Sequence, residues 1–169
     1  MNCYEICGRV SPELMNSILG FLLEQEKPVY KAMIQNLATR RKLRPIFIER
    51  KPKIERHIWI QQALSSKSSD DLAIQLLQIW LLGAYREMIC EFLDLLGIKH
   101  DGNGVVDDLP PEPSQEVLAE TITTLLEKHQ REVLAVYLHA FQAMDETGWS
   151  TLEEVLVADP RVALTRHEV

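Results

Sequence analysis

The sequence predicts an all-α fold, a helical bundle of six or seven helices in a single domain spanning residues 1–169. Apolar residues recur every three to four positions along most of the chain, which is the spacing of one face of an α-helix. Nowhere do four or more residues alternate convincingly between apolar and polar, as they would in a half-buried strand. Serine and proline stand at the start of several periodic segments, where helix N-termini favour them.

Three helices are predicted in the N-terminal part of the chain, over residues 12–26, 28–39 and 53–64. The first follows Ser11 as the N-cap, with Pro12 at the first helical position. Pro45 and Pro52 exclude an unbroken helix between the second and the third, because proline disfavours helical geometry in the residue before it. We therefore expect residues 44–48 to form an extended or one-turn connector.

The longest predicted helix covers about residues 70–96, which contain no proline and one internal glycine, Gly83. At 1.5 Å per residue it would be about 40 Å long. It is apolar almost all round from Ile79 to Tyr85, so we expect it to be the central helix, wrapped by the others. The face of the helix that carries its polar residues changes near Gly83, and the helix can bend there or a neighbouring helix can approach closely.

The C-terminal helices are predicted from Ser114 onward. The apolar pattern over residues 115–145 fits one helix or two, and we favour a break at 128–131. A capping box from Ser150 to Glu153 predicts a short final helix that ends near Ala158.

The domain organisation is marked most clearly by a serine cluster at residues 65–69, which we interpret as a linker. It separates a possible N-terminal helical subdomain, residues 1–64, from a C-terminal helical part, residues 70–160. Residues 161–169 are expected to form a loose tail.

The cellular location expected from the sequence is the cytoplasm. No signal peptide is visible, and the longest apolar run has about seven residues, too few to cross a bilayer, so we expect no membrane association. The three cysteines lack a Cys-x-x-Cys spacing and suit a reducing compartment. No cofactor is expected.

Charge is distributed unevenly along the chain. The net charge is −7, but residues 1–69 carry +6 and residues 70–169 carry −13. Most of the positive charge lies in residues 40–56, which contain Arg40, Arg41, Lys42, Arg44, Arg50, Lys51, Lys53 and Arg56. With Phe47, His57 and Trp59 interleaved, this basic segment is a candidate for binding phosphate or nucleic acid. The alternative, which we favour, is that it pairs with the acidic half of its own chain or of a partner subunit.

A second candidate site is the carboxylate stripe of Glu87, Glu91 and Asp94, which are spaced so that a helix presents all three on one face. Carboxylates on bundle helices hold divalent metals in several hydrolases, which makes a metal-dependent hydrolase one alternative function. A facing helix with matching ligands is not evident, so a solvated helix face is the simpler interpretation.

No catalytic signature accompanies these features: the Gly-x-Ser-x-Gly, Gly-x-Gly-x-x-Gly and Gly-x-x-x-x-Gly-Lys patterns are all absent. The sequence leaves open whether the chain is an enzyme and leans towards a non-enzymatic role. We expect a helical protein that acts by protein association, with a homodimer as the expected assembly. The alternatives are the metal-dependent hydrolase and a phosphate- or nucleic-acid-binding module that uses the basic segment.

Overall fold

The computed structural model describes residues 1–144 and 148–165. Within these residues the fold contains ten α-helices and no strand, which confirms the all-α prediction but exceeds the six or seven helices expected. The helices are α1 (Cys3–Arg9), α2 (Pro12–Gln25), α3 (Lys27–Arg40), α4 (Pro45–Glu49), α5 (Lys53–Leu64), α6 (Asp70–Ala84), α7 (Arg86–Leu95), α8 (Gln115–Leu126), α9 (Arg131–Met144) and α10 (Ser150–Ala158). Short 3-10 helices cover Lys67–Ser69 and Pro160–Val162. No helix in the described ranges combines the length and apolarity needed to cross a bilayer.

The predicted N-terminal helices are present as α2, α3 and α5, and the predicted one-turn connector is the five-residue α4. Helix α1 was not predicted, because seven residues are too few to show a period of 3.6. A local signal for it does exist. Asn2 and Glu5 form a capping box, in which the Glu5 carboxylate accepts a hydrogen bond from the Asn2 N–H at 2.8 Å.

The predicted helix over residues 70–96 is two helices, and this expectation was wrong. The chain leaves helical geometry at Tyr85, with φ −126° and ψ 28°, so α6 ends at Ala84 and α7 begins at Arg86. Near the break, the Arg86 guanidinium donates to the Leu82 carbonyl at 3.3 Å. Glycine weakens a helix, and Gly83 lies two residues before the break.

The helix with a segment buried on all sides is α9 and not α6. All eight residues from Val133 to Ala140 are buried. Helix α6 buries only the stripe formed by Leu72, Ala73, Leu76, Leu77, Trp80 and Leu81, while Gln75, Gln78 and Gly83 are exposed. The apolar density of residues 79–85 was therefore a poor guide to burial, since a helix with an apolar majority can still present one face to water.

The C-terminal helices follow the favoured alternative. Helix α8 ends at Leu126 and α9 begins at Arg131, which confirms the break. Residue 145, where the pattern was expected to end, lies outside the described residues. The capping prediction for α10 was wrong, because Trp149 is the N-cap and makes no side-chain capping bond.

The described chain divides into two compact units, formed mainly by residues 2–80 and by residues 81–164, and the division falls inside α6. In the first unit, α2 packs against α3 and α5, α1 packs against α5, and α4 packs against α3. Its core contains Ile6, Met15, Ile18, Leu19, Leu22, Met33, Ile34, Leu37, Ile48, Ile60 and Leu64. Ser69, at the end of the serine cluster, is also buried.

In the second unit, α8 packs against α7, α9 and α10, and the 3-10 helix Pro160–Val162 packs against α9. Phe92 is fully buried and makes edge-to-face ring contacts with Tyr137 and Phe141. Val162 and Leu164, in the segment expected to be a loose tail, are buried. Residues 166–169 lie outside the described residues.

Candidate functional site: a basic and apolar surface at α4

The basic segment runs from the end of α3, through α4, to the first turn of α5, all within the unit of residues 2–80. Arg40, at the end of α3, has a structural partner. Its two terminal nitrogens donate to the two carboxylate oxygens of Asp71 at 2.8 and 2.7 Å, and one of them also donates to the Ser68 carbonyl at 2.6 Å. The guanidinium lowers the pKa of Asp71 by this hydrogen bonding. Arg40 thus pairs with the beginning of the acidic half of the chain, as the favoured interpretation expects.

Arg56, in α5, also makes contacts that stabilise the fold. Its terminal nitrogen donates to the Glu49 carbonyl at 3.2 Å, at the last residue of α4. Its guanidinium carbon lies 5.8 Å from the centre of the Tyr30 ring, within cation–π range. Arg56 therefore links α4 and α5 and contacts α3, and it is half-buried.

The other six cations have no such role. They are Arg41, Lys42, Arg44, Arg50, Lys51 and Lys53, and none forms an ion pair or a side-chain hydrogen bond with another residue that the structure describes. All are exposed except Lys51, which is half-buried. Pairing within the described chain therefore accounts for Arg40 and leaves a concentrated positive charge around α4.

Exposed apolar side chains lie among these cations. Helix α4 is anchored by Ile48, which is 1% exposed, while Ile46 and Phe47 are 43% and 60% exposed. Leu43, just before α4, is 41% exposed. The described residues contain ten exposed large hydrophobic side chains, and five of them fall between positions 43 and 58. These five are Leu43, Ile46 and Phe47, together with Ile54 and Ile58 in α5. Clustered exposed apolar groups commonly mark interaction sites.

We define the α4 surface as Arg41, Lys42, Leu43, Arg44, Ile46, Phe47, Arg50 and Lys51. The sequence identified its cations and Phe47 but missed Leu43 and Ile46, because the prolines led residues 44–48 to be read as a connector. The available signal was an apolar run that lies inside the basic segment and is too short to form a core helix.

The turn that leads into the α4 surface contains an unusual backbone conformation. Lys42 has φ 56°, the left-handed region in which glycine is the usual residue. The Leu43 N–H donates to the Ala38 carbonyl at 2.8 Å and the Lys42 N–H donates to the Thr39 carbonyl at 3.0 Å, which is the Schellman pattern of helix termination. A lysine in this conformation costs about 1 kcal/mol relative to glycine. The chain thus carries a cation at this position despite an unfavourable backbone geometry.

Of the three rings expected to contact nucleic-acid bases, only Phe47 is exposed. His57 is 2% exposed and is held between two side chains, with the Tyr30 hydroxyl 2.9 Å from Nε2 and Asn16 Oδ1 2.6 Å from Nδ1. An amide oxygen only accepts, so Nδ1 carries the ring proton and Nε2 accepts from Tyr30. Burial, together with Arg56 and Lys53, lowers the pKa of His57 to about 4. Trp59 is half-buried.

The carboxylate stripe of α7 does not converge on a common point. Glu91 accepts from Lys128 Nζ at 2.7 Å and lies 2.9 Å from His129 Nε2, whereas Asp94 lies 2.7 Å from His100 Nε2. Hydrogen bonds from Lys128 and His129 lower the pKa of Glu91. Among residues 1–144 and 148–165, no group of three or more His, Cys, Asp or Glu side chains is arranged to hold a metal ion.

A cavity of about 470 Å³ adjoins the break between α6 and α7. It is lined by Gly83, Ala84, Tyr85, Arg86, Glu87, Met88 and His129. Its histidine is already engaged by Glu91, and the cavity lining contains no serine, cysteine or threonine as a nucleophile. Cys3 and Cys7 are buried elsewhere, and burial raises the pKa of Cys3 to about 12, so that its thiolate is scarce near neutral pH.

The α4 surface is therefore the feature of the described chain that is best suited to contact another molecule. It combines a small apolar centre with surrounding cations that have no partner within the described residues. No family model, curated protein sequence or solved structure matches this chain significantly.

Proposed function

We propose that the chain is a non-catalytic protein-binding module, and that it binds an acidic surface of another protein through the α4 surface. The observation that carries this proposal is the group of Leu43, Ile46 and Phe47, which are exposed within five residues of one another and flanked in sequence by cations that pair with no carboxylate in the described part of the chain. Protein interfaces commonly place apolar and aromatic side chains at the centre and charged groups at the rim.

Charge favours a different protein over a second copy at this surface. Residues 41–51 contain five Lys or Arg and one Glu, a net charge of +4. A symmetric dimer brings the same patch of both subunits together, so it would place these cations against each other. An acidic partner surface removes that repulsion and accelerates association.

The composition of the surface favours protein over nucleic acid. Leu43 and Ile46 are aliphatic, so they neither stack on bases nor donate hydrogen bonds to them. Binding of single strands normally relies on several stacked rings, and Phe47 alone is exposed here. The apolar part of the surface would remain unused on a nucleic acid.

The test compares two alanine variants of equally simple design. Phe47→Ala removes the most exposed ring of the α4 surface, and Val157→Ala removes an apolar side chain that is 83% exposed on α10. Immobilised wild type, Phe47→Ala and Val157→Ala are incubated with a cell extract, and each retained protein is then purified and its Kd for the three chains measured. We expect a partner whose affinity falls about tenfold or more with Phe47→Ala and is unchanged with Val157→Ala.

Three results would overturn the proposal. The first is a set of retained proteins that bind Phe47→Ala as tightly as wild type. The second is tight binding of wild type to a generic oligonucleotide or to phosphatidylserine vesicles that is lost in Phe47→Ala, since the surface would then serve a polyanion or a lipid. The third is a dimer, detected by light scattering at low and high salt, that dissociates in Phe47→Ala, since the surface would then belong to a contact with a second copy.

A further inference from the structure

We infer that the segment held by the α4 surface is an acidic amphipathic helix, and that Lys42 is the residue that selects its charge. The inference rests on the proposed function and deepens it, because it names the form of the partner and one residue that determines specificity.

The form of the partner follows from the backbone that is available to it. An extended segment is normally bound by adding a strand to the edge of a sheet, which satisfies its N–H and C=O groups. The described residues contain no strand, so they offer no such edge. A helix satisfies its own backbone hydrogen bonds and needs from its receptor only a match for its apolar stripe.

The exposed apolar group of the α4 surface has a matching size. Leu43 lies in the segment between α3 and α4, and Ile46 and Phe47 are adjacent residues of α4. Three such side chains can cover two or three apolar residues on one face of a partner helix. Arg41, Lys42 and Arg44 flank Leu43 in sequence and are exposed, which favours a partner helix with acidic residues beside its apolar face.

Lys42 is singled out by its backbone. It occupies the left-handed position that terminates α3, where glycine would remove the strain, and it is fully exposed. No described carboxylate pairs with it, so the fold gains nothing visible from the charge. Lys42 is thus held in an unfavourable conformation, and no ion pair within the described residues offsets the strain. Strained backbone of this kind is common at binding sites, and we therefore assign Lys42 a role in binding.

The first measurement uses three synthetic peptides of 18 residues. One carries leucines on one helical face and glutamates elsewhere, the second replaces the glutamates with lysines, and the third replaces the leucines with serines. We expect wild type to bind the first alone, with an affinity that falls as salt concentration rises. Equal binding of the first and second peptides, or no binding of the first, would overturn the inference.

The second measurement separates the charge of Lys42 from its strain. Lys42→Gly removes both, so we expect Tm to rise by about 2–4 °C and the affinity for the acidic peptide to fall about threefold to tenfold. Lys42→Gln removes the charge and keeps the strain, so the affinity falls without the rise in Tm. Lys42→Arg and Lys99→Gln, which changes an exposed lysine of the other unit, should bind as wild type does. Full affinity in both Lys42→Gly and Lys42→Gln would contradict the role of Lys42.

Failure of this inference and failure of the proposed function give different results. If natural partners lose affinity with Phe47→Ala but the acidic peptide does not bind, the function stands and the helical acidic form is wrong. If no retained protein depends on Phe47, the function itself fails.

Discussion

Arg40 and Asp71, separated by 31 positions in sequence, form a two-pronged ion pair with nitrogen–oxygen distances of 2.8 and 2.7 Å. The same guanidinium donates to the Ser68 carbonyl, so a single side chain connects the end of α3 to the start of α6 and the turn before it. Within the unit of residues 2–80, this contact joins the basic segment to the first acidic residues of the chain's acidic half.

Arg40→Lys should lower the stability of the chain by about 0.5–1 kcal/mol, because lysine cannot reproduce the fork geometry of arginine on a carboxylate. For a chain of this size that corresponds to a decrease in Tm of roughly 1–4 °C, measurable by thermal unfolding followed by circular dichroism. Arg41→Lys, one residue away and without an ion-pair partner among the described residues, is the matched control. Equal decreases in both variants would show that the ion pair contributes nothing.

His57 should make the chain less stable in acid. The unfolded histidine has a pKa of about 6.5, and in the folded chain burial lowers the pKa of His57 to about 4. The unfolded state therefore binds more protons between these values, so the free energy of unfolding falls as pH decreases through this range. The full contribution is about 3 kcal/mol and is present above pH 6.5.

The measurement is urea unfolding at pH 7, 5.5 and 4.5 for wild type and His57→Gln. We expect the variant to be less stable at pH 7, because the contacts with Tyr30 and Asn16 are disturbed, and to lose less stability than wild type on acidification. An unchanged slope in His57→Gln would refute the assignment.

Gly104 should tolerate no side chain. It has φ +84°, and a Cβ atom there would lie 2.8 Å from the Cγ2 atom of Ile89 in α7. We expect Gly104→Ala to reduce the free energy of unfolding by roughly 2–4 kcal/mol, from backbone strain together with the clash. Gly102→Ala has a similar φ of +82° but open space around the new Cβ, so it should cost only about 1 kcal/mol. Denaturant midpoints of the two variants measure the difference.

Glu112 should control the order of the first turn of α10. Its carboxylate accepts from the Thr151 N–H at 3.3 Å and from the hydroxyls of Thr151 and Ser150. We expect Glu112→Ala to accelerate hydrogen exchange in α10 while α7 stays protected, since the N-terminal N–H groups lose an acceptor. Asp108→Ala, in the same loop and exposed, should leave α10 unchanged.

The same contact carries a pH dependence. The hydrogen bonds from Thr151 and Ser150 lower the pKa of Glu112, so its stabilising effect is present above the unfolded pKa and is lost as pH falls through the lowered folded value. Protection of α10 in wild type should therefore decrease in acid, and Glu112→Ala should show a smaller decrease. Identical pH profiles would contradict the role of Glu112 as a cap.

Local sequence signals were sufficient for most of the helices. Ser11 and Pro12, and later Ser114, mark helix starts whose capping depends on residues within one turn, and the structure places α2 and α8 there. The charge imbalance and the basic segment were also evident from the residues alone. These properties depend on neighbours in sequence, so periodicity and composition predict them.

Tertiary structure decided the rest, because burial and long-range pairing depend on residues that are distant in sequence. It buried α9 on all sides from Val133 to Ala140 but left one side of α6 exposed, and it capped α10 with Glu112, which lies 39 positions before Thr151. It also paired Arg40 while leaving the cations around α4 free of described carboxylates, and it turned Ile46 and Phe47 outward while burying Ile48. The sequence determined where most of the helices form and where the positive charge lies, and only the packing of distant segments determined which of those residues remain exposed.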